Sequence, residues 1–216
     1  MYFPHPSLAD SDGILAIGGD LSEERLLLAY QFGIFPWYNP EDPIIWWAPD
    51  PRCVLIPSEL HVPKSMRSLF NQPKWTLTYD QCFTRVMESC QLIPRNSIIS
   101  SWIQEPMIEA YSALHRSGWA HSVEVWNGDE LVGGLYGVAM GRVFFGESMF
   151  SQVPNASKYG FISMVRALES LGYQLIDCQQ RTQHLLFLGA KTIPREEFLQ
   201  VLRSNFKWID SPAFPK

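Results

Sequence analysis

The sequence predicts an α+β fold: a mixed, mainly antiparallel sheet with flanking helices, preceded by a small N-terminal domain. Three observations lead to it. Residues 122–150, SVEVWNGDELVGGLYGVAMGRVFFGESMF, read as three short strands joined by tight turns. A helical pattern over Ala156–Leu171 and a further strand, Gln174–Cys178, follow. Residues 1–57 are instead rich in Gly, Pro and Trp, and prolines 36, 40, 43, 49 and 51 forbid a long helix there.

Each element has a local reason. Ser22 with Glu23 and Glu24 marks a helix start that runs to about Phe32 and stops at Gly33. Residues 34–52 are expected to be irregular and pinned by aromatic packing, which puts the domain division between residues 57 and 58. Lys64–Phe70 is a short helix, Trp75–Tyr79 a strand, and Asp80 a cap for a helix to about Cys90. Pro94–Ser101 is a loop, and Pro106 opens a helix with Met107, Ile108, Tyr111 and Leu114 on one face before Gly118. Asn127-Gly128 supplies the positive φ of a two-residue hairpin, and Ala139-Met140-Gly141 makes the second turn. Asn155 caps the helix at 156–171, with Phe161, Ile162, Val165 and Leu168 at helical spacing and Gly172 as its stop. Short helices near His184–Leu188 and over Arg195–Arg203 close the chain. Helices, a meander, a helix and another strand suggest the acyltransferase architecture of the GNAT class, in which central strands splay and the acyl donor sits in the gap.

Composition narrows the function. The chain has 216 residues, 46% apolar and 18% charged, which supports a full core and argues against extensive disorder. No apolar run approaches the ~18 residues of a membrane helix. The start, Met-Tyr-Phe-Pro-His-Pro, has neither a basic region nor an apolar run, so no signal peptide is expected. Cys53, Cys82, Cys90 and Cys178 show no CxxC pairing, which fits free thiols in a reducing cytoplasm, and the scattered histidines give no metal-ligand spacing. A net charge of −5 excludes a general nucleic-acid coat. The charge is uneven, however: residues 1–50 hold eight acids and one base, whereas Arg52, Lys64, Arg67 and Lys74 face only Glu59 over residues 51–75. Such a patch is either a solvated surface or a contact for a phosphate-rich ligand.

Candidate site residues follow from position. Asp177 ends an apolar strand and reads either as a cap on a neighbouring turn or as the group that orients or deprotonates an amine. Gln179, two residues on, points to the same face if the strand continues, and its amide would align a substrate. Glu147 follows two aromatic residues, so its carboxylate is either paired or raised in pKa. Trp37, Trp46, Trp47 and Trp102 suit a staple between domains, and Trp37 and Trp102 also suit stacking on a nucleobase. Leu135, Phe144, Met149 and Met164 read as core on periodicity, with an apolar ligand pocket as the alternative. A coenzyme A pyrophosphate cradle needs free backbone N–H groups in a glycine-containing loop; the comparable stretch, Gln152–Ser157, has Asn155 and Pro154 instead.

The assembled motifs resemble the leucyl/phenylalanyl-tRNA–protein transferase family. They are Asp12-Gly-Ile-Leu-Ala-Ile-Gly-Gly-Asp-Leu-Ser22, Gly33-Ile-Phe-Pro-Trp37, Trp46-Trp-Ala-Pro-Asp-Pro-Arg52, Ser101-Trp-Ile103, His121-Ser-Val-Glu-Val-Trp126, Leu131-Val-Gly-Gly-Leu-Tyr-Gly137, Gly146-Glu-Ser-Met-Phe-Ser151, Asn155-Ala-Ser-Lys158 and Leu175-Ile-Asp-Cys-Gln179. The resemblance implies transfer of Leu or Phe, with Met as a further donor, from aminoacyl-tRNA to proteins that begin with Arg or Lys, marking them for N-end-rule degradation. It implies no coenzyme A, metal or other cofactor, no membrane or DNA partner, and a cytoplasmic monomer. By motif, Glu147, Asp177 and Gln179 form the polar site. Trp37 and Trp102 hold the terminal adenosine, and Leu135, Phe144, Met149 and Met164 line the amino-acid pocket. Tyr111 joins the substrate-binding set, and Arg52, Lys64, Arg67 and Lys74 contact tRNA phosphates. A coenzyme A-dependent N-acetyltransferase and a peptidoglycan-type aminoacyl-tRNA transferase are the alternatives.

Overall fold

The computed structural model describes residues 2–72, 74–93, 103–205 and 213–216. The loop expected at Pro94–Ser101 and Trp102 lie outside the described residues.

The N-terminal segment forms a small sheet rather than irregular chain. Strands β1 (Ile14–Ile17), β2 (Phe35–Pro36) and β3 (Ile45–Trp47) pair antiparallel in the order β1-β3-β2, with helix α1 (Glu23–Gln31) between β1 and β2. The prolines restrict helix but leave short strands free, and Trp46 anchors the sheet. Its ring is buried against Phe3, and its indole N–H donates to the Gly18 carbonyl at 2.9 Å.

The large sheet has seven strands, β10-β4-β9-β8-β7-β6-β5 in spatial order. These are β4 (Arg52–Leu55), β5 (Thr76–Tyr79), β6 (Ala120–Asn127), β7 (Glu130–Met140), β8 (Val143–Ser151), β9 (Leu175–Gln179) and β10 (Lys191–Ile193). β4 therefore belongs to this sheet, and a division before Arg52 fits the hydrogen bonding better than one after residue 57. β10 was not foreseen; three residues at a sheet edge carry too little pattern. Helices α2 (Lys64–Asn71), α3 (Phe83–Leu92), α4 (Glu105–Arg116), α5 (Ala156–Ser170), α6 (Gln183–Phe187) and α7 (Arg195–Asn205) are the remaining α-helices among the described residues.

Both turns begin later than expected, the first by one residue and the second by two. Asn127 pairs with Glu130 and Met140 with Val143, so Gly128 and Gly141 lead the loops with φ of 61° and 57°. Asp80 does not cap α3. It accepts from the Ser122 backbone at 2.9 Å and meets His121 Nδ1 at 2.8 Å. The buried Glu124 carboxylate lies over the start of α3 instead and accepts from Ser122 Oγ, Thr78 Oγ1 and the Gln81 N–H.

Opposite faces of the large sheet carry separate cores. On one face Val54, Tyr136, Val138 and Phe145 pack with Phe83, Tyr111 and Phe198 from α3, α4 and α7. On the other, Leu55, Leu135, Phe144 and Ile176 pack with Ile162, Met164 and Val165 of α5. Neighbouring strands are antiparallel except β8 and β9, which run parallel and pair only from Val143↔Leu175 to Phe145↔Asp177. Beyond Gly146, β8 stays with β7 while β9 stays with β4. The sheet therefore splays at its centre in the GNAT-like manner, and the residues just past the split face a gap.

Candidate active site

A cavity of about 500 Å³ occupies that gap, within the size range of small-molecule sites. Its walls are mostly apolar: Leu135 and Phe144 from β7 and β8, Met149 past the split, Phe161 and Met164 from α5, and Ile176 from β9. Phe35 and Trp37 close the side nearest the small sheet. Trp37 is held edge-on to Trp47 at 5.4 Å, and Trp47 Nε1 donates to the Trp37 carbonyl at 2.6 Å. The four expected pocket residues and Trp37 thus meet at one cavity. Phe161 and Ile176 extend it; their signals were present, one turn before Met164 and one residue before Asp177.

Glu147 and Gln179 bring polarity to this wall. They sit on the two diverging strands, and Gln179 Nε2 donates to Glu147 Oε1 at 2.8 Å, bridging the split. The Tyr30 hydroxyl of α1 donates to the same oxygen at 2.7 Å and is itself hydrogen-bonded to the Tyr111 hydroxyl of α4. Burial pushes the Glu147 carboxyl up to about 7, against the opposing pull of the Tyr30 bond. Burial also raises both tyrosines, and the nearby Glu147 charge adds to it, so both phenols stay protonated as donors. Tyr111 is fully buried behind Tyr30 and is not part of the cavity wall, which corrects its expected place among the substrate contacts. Tyr30 was missed because it lies 117 residues from Glu147.

Asp177 and Gln179 do not share a face. A bulge interrupts β9 opposite Cys53, and Gln179 takes a left-handed φ of 59°. Gln179 turns into the cavity, whereas Asp177 is fully buried on the other side of the sheet. Both Asp177 oxygens are engaged: Oδ1 accepts from Arg52 Nε at 2.8 Å and from the Gln179 N–H at 2.9 Å, and Oδ2 from Arg52 Nη2 at 2.7 Å. Arg52 is 1% exposed, so it cannot serve as a surface phosphate contact, and that assignment is corrected. Lys64, Arg67 and Lys74 are exposed, as the basic patch requires.

The chain after Gln179 supplies the remaining rim, with Gln180, Thr182, His184 and Leu185. The Thr182 hydroxyl accepts from the Leu185 N–H at 3.2 Å and caps α6. Burial, followed by the charge of Lys158, lowers the His184 pKa and so disfavours its charged form. The four cysteines are free thiols, and among the described residues no cluster of His, Cys, Asp or Glu fits a metal ion. No helix among them is long and apolar enough to cross a membrane. The chemistry on offer is one carboxylate near neutrality with the Gln179 amide bonded to it, beside a rim that adds the Gln180 amide, the Thr182 hydroxyl and the His184 imidazole.

Comparison with known proteins fits this chemistry. A family model described as "Leucyl/phenylalanyl-tRNA protein transferase" matches residues 54–203, and one for the N-terminal domain of the same family matches residues 19–50. The chain belongs to this family. It is an aminoacyltransferase, and its relatives match it almost end to end. A leucyl/phenylalanyl-tRNA–protein transferase from Nitrosospira multiformis is 54% identical over 206 residues, 95% of this chain and 88% of the relative. One from Flavobacterium johnsoniae is 52% identical over 205 residues, 95% of this chain and 97% of the relative. Among solved structures, a GCN5-related N-acetyltransferase from Kribbella flavida aligns at 11% identity and a TM-score of 0.39, covering 77% of this chain and 59% of that one.

Proposed function

We propose that this chain transfers Leu or Phe, with Met as a further donor, from aminoacyl-tRNA to the α-amine of proteins beginning with Arg or Lys, acting as a cytoplasmic monomer in N-end-rule degradation. The observation that carries this reading is Glu147, the one carboxylate lining the cavity among the described residues, bridged to Gln179 beside an apolar wall in a space of about 500 Å³ that has room for an aminoacyl group.

The donor is an ester and already activated, so the enzyme mainly positions two reactants, an effect worth ~7–11 kcal/mol. The amino-acid side chain enters among Leu135, Phe144, Met149 and Met164. Trp37 offers an indole face to the terminal adenine. The acceptor amine, with a pKa near ~7.7, is partly neutral at cytoplasmic pH. Its nitrogen bonds to the ester carbonyl carbon. Its proton passes to Glu147, which a pKa of about 7 suits to the task. The carbon–oxygen bond to the ribose then breaks, and the same proton goes to the leaving oxygen. The Gln179 amide holds Glu147 in place, and Asp177 acts from behind by fixing the Gln179 backbone. No acyl-enzyme is required.

The coenzyme A alternative meets an obstacle at the start of α5. The Ala156 N–H donates to the Val153 carbonyl at 3.2 Å and the Ser157 N–H to Ser151 Oγ at 3.1 Å, so two amides a pyrophosphate would need are engaged. The test is incubation with leucyl-tRNA and an Arg-initiated peptide, read by mass. We expect the peptide to gain one leucyl residue, and an Asp-initiated peptide to gain none. Acetylation from acetyl-coenzyme A without leucylation would overturn the proposal.

A further inference from the structure

The geometry points to Arg52 as a positioning residue of this reaction: clamped between two aromatic rings, it holds Asp177, and through Asp177 the backbone turn that aims Gln179 at Glu147. This deepens the aminoacyl-transfer reading and rests on it.

The guanidinium lies 4.7 Å from the Phe35 ring centroid and 4.8 Å from that of Phe198. Those rings belong to different parts of the chain, Phe35 to the small sheet and the cavity wall, Phe198 to α7. Two parallel hydrogen bonds at 2.8 and 2.7 Å lock the fork onto Asp177, in the bidentate geometry that fixes direction as well as distance. Asp177 Oδ1 then accepts from the Gln179 N–H at 2.9 Å. That bond holds Gln179 at a φ of 59°, a conformation side chains other than glycine adopt reluctantly. The turned residue delivers its amide to Glu147 at 2.8 Å. Each link leaves one choice to the next, and the chain runs from a buried cation to the cavity.

Stability alone does not explain such a pair. A buried ion pair is often matched or exceeded by well-packed apolar residues, so its presence points to geometric specificity. Arg52 also bears on the charge state of Glu147. The groups that act on that carboxylate are Tyr30 from α1, Tyr111 from α4 and Gln179 from β9 by hydrogen bonding, and Asp177 from β9 and Arg52 from β4 by charge. Among them Asp177 raises the Glu147 pKa and Arg52 lowers it. An intact pair therefore holds the two influences in opposition.

The experiment compares the parent, Arg52→Gln and the double variant Arg52→Met/Asp177→Leu, each with leucyl-tRNA and with leucyl-adenosine as donor. Removing both charges lets the double variant keep a packed interior even if Arg52→Gln alone fails to fold. We expect kcat to fall by ~10²-fold with both donors, the loss typical of a small misplacement in the site. The KM for leucyl-tRNA and its salt dependence should stay at the parental values. In Arg52→Gln the acid limb of the kcat profile should move to higher pH, and in the double variant it should return toward the parent. A folded double variant with parental kcat would overturn the proposal. So would a loss confined to a higher leucyl-tRNA KM, which is the signature of a phosphate contact. The parent's own transfer from leucyl-tRNA, measured alongside, tests the underlying reading separately.

Discussion

Glu147 shows how much a neighbourhood decides at the scale of one residue. Its carboxyl rises to about 7 because protein surrounds it, while the Tyr30 and Gln179 donors only partly offset that burial. The stability consequence has a definite sign. At low pH the folded and unfolded chains both hold this proton. As pH rises from the usual carboxyl range toward about 7, the unfolded chain releases it first, so the folded state loses ground; above that the loss is constant. The Glu147→Gln variant should therefore be more stable than the parent at pH 8, by about 1–3 kcal/mol after screening by cavity water, and little changed at pH 4. Its kcat should fall ~10²–10⁴-fold as the proton acceptor is lost. Denaturant melts at the two pH values and single-turnover rates check both halves. A parental rate in the folded variant would remove Glu147 from the chemistry.

Residue-scale legibility was uneven for a physical reason. Glu147 and Asp177 stood out because each is a carboxylate in an apolar strand. Arg52 was misread as a surface base because its partner lies 125 residues away, and composition counts a buried cation like an exposed one. Gln179 lies on the face opposite the one strand alternation predicts, because a bulge and a left-handed backbone break that alternation.

At the scale of elements, close contact between β7 and α5 shapes the cavity. A Cβ on Gly133 would sit 2.7 Å from the Ala156 Cβ and 3.0 Å from its carbonyl carbon, too near for either strand or helix to stay in place. α5 carries Phe161 and Met164 into the cavity wall. We expect Gly133→Ala to lower stability by about 1–3 kcal/mol, the usual cost of overpacking, and to raise the KM for the donor. Thermal melts and donor titrations measure this, and an unchanged melting temperature would contradict the packing account. The long elements were legible because periodicity accumulates with length, as in the meander, α4 and α5. The small N-terminal sheet and β10 were not, since strands of two to four residues take their identity from partners far along the chain.

For the whole molecule, the proposed function divides the donor between a basic surface and the cavity. The exposed Lys64, Arg67 and Lys74 stand on an otherwise acidic protein, where they suit one phosphate-rich ligand. Replacing all three with Ala should raise the KM for aminoacyl-tRNA and flatten its salt dependence, because fewer counterions are then released on binding. Leucyl-adenosine should be used as well as before. An unchanged salt slope would make the patch a solvated surface only.

On the proposed function, the cavity also reads the transferred amino acid. Its apolar wall should then accept Leu and Phe, disfavour a β-branch at the mouth, and exclude charged side chains by the cost of desolvating them. A methylene-scale mismatch is worth only ~1–3 kcal/mol, so selection should be graded. The most direct measurement is a mass-resolved competition among Leu-, Phe-, Met- and Val-charged tRNAs for one Arg-initiated peptide, run with the parent and with Met149→Ala. Leu, Phe and Met are expected to be transferred ahead of Val, with a changed ranking in Met149→Ala. Val transferred as well as Leu by the parent, or a ranking and rate untouched by Met149→Ala, would contradict this reading of the cavity.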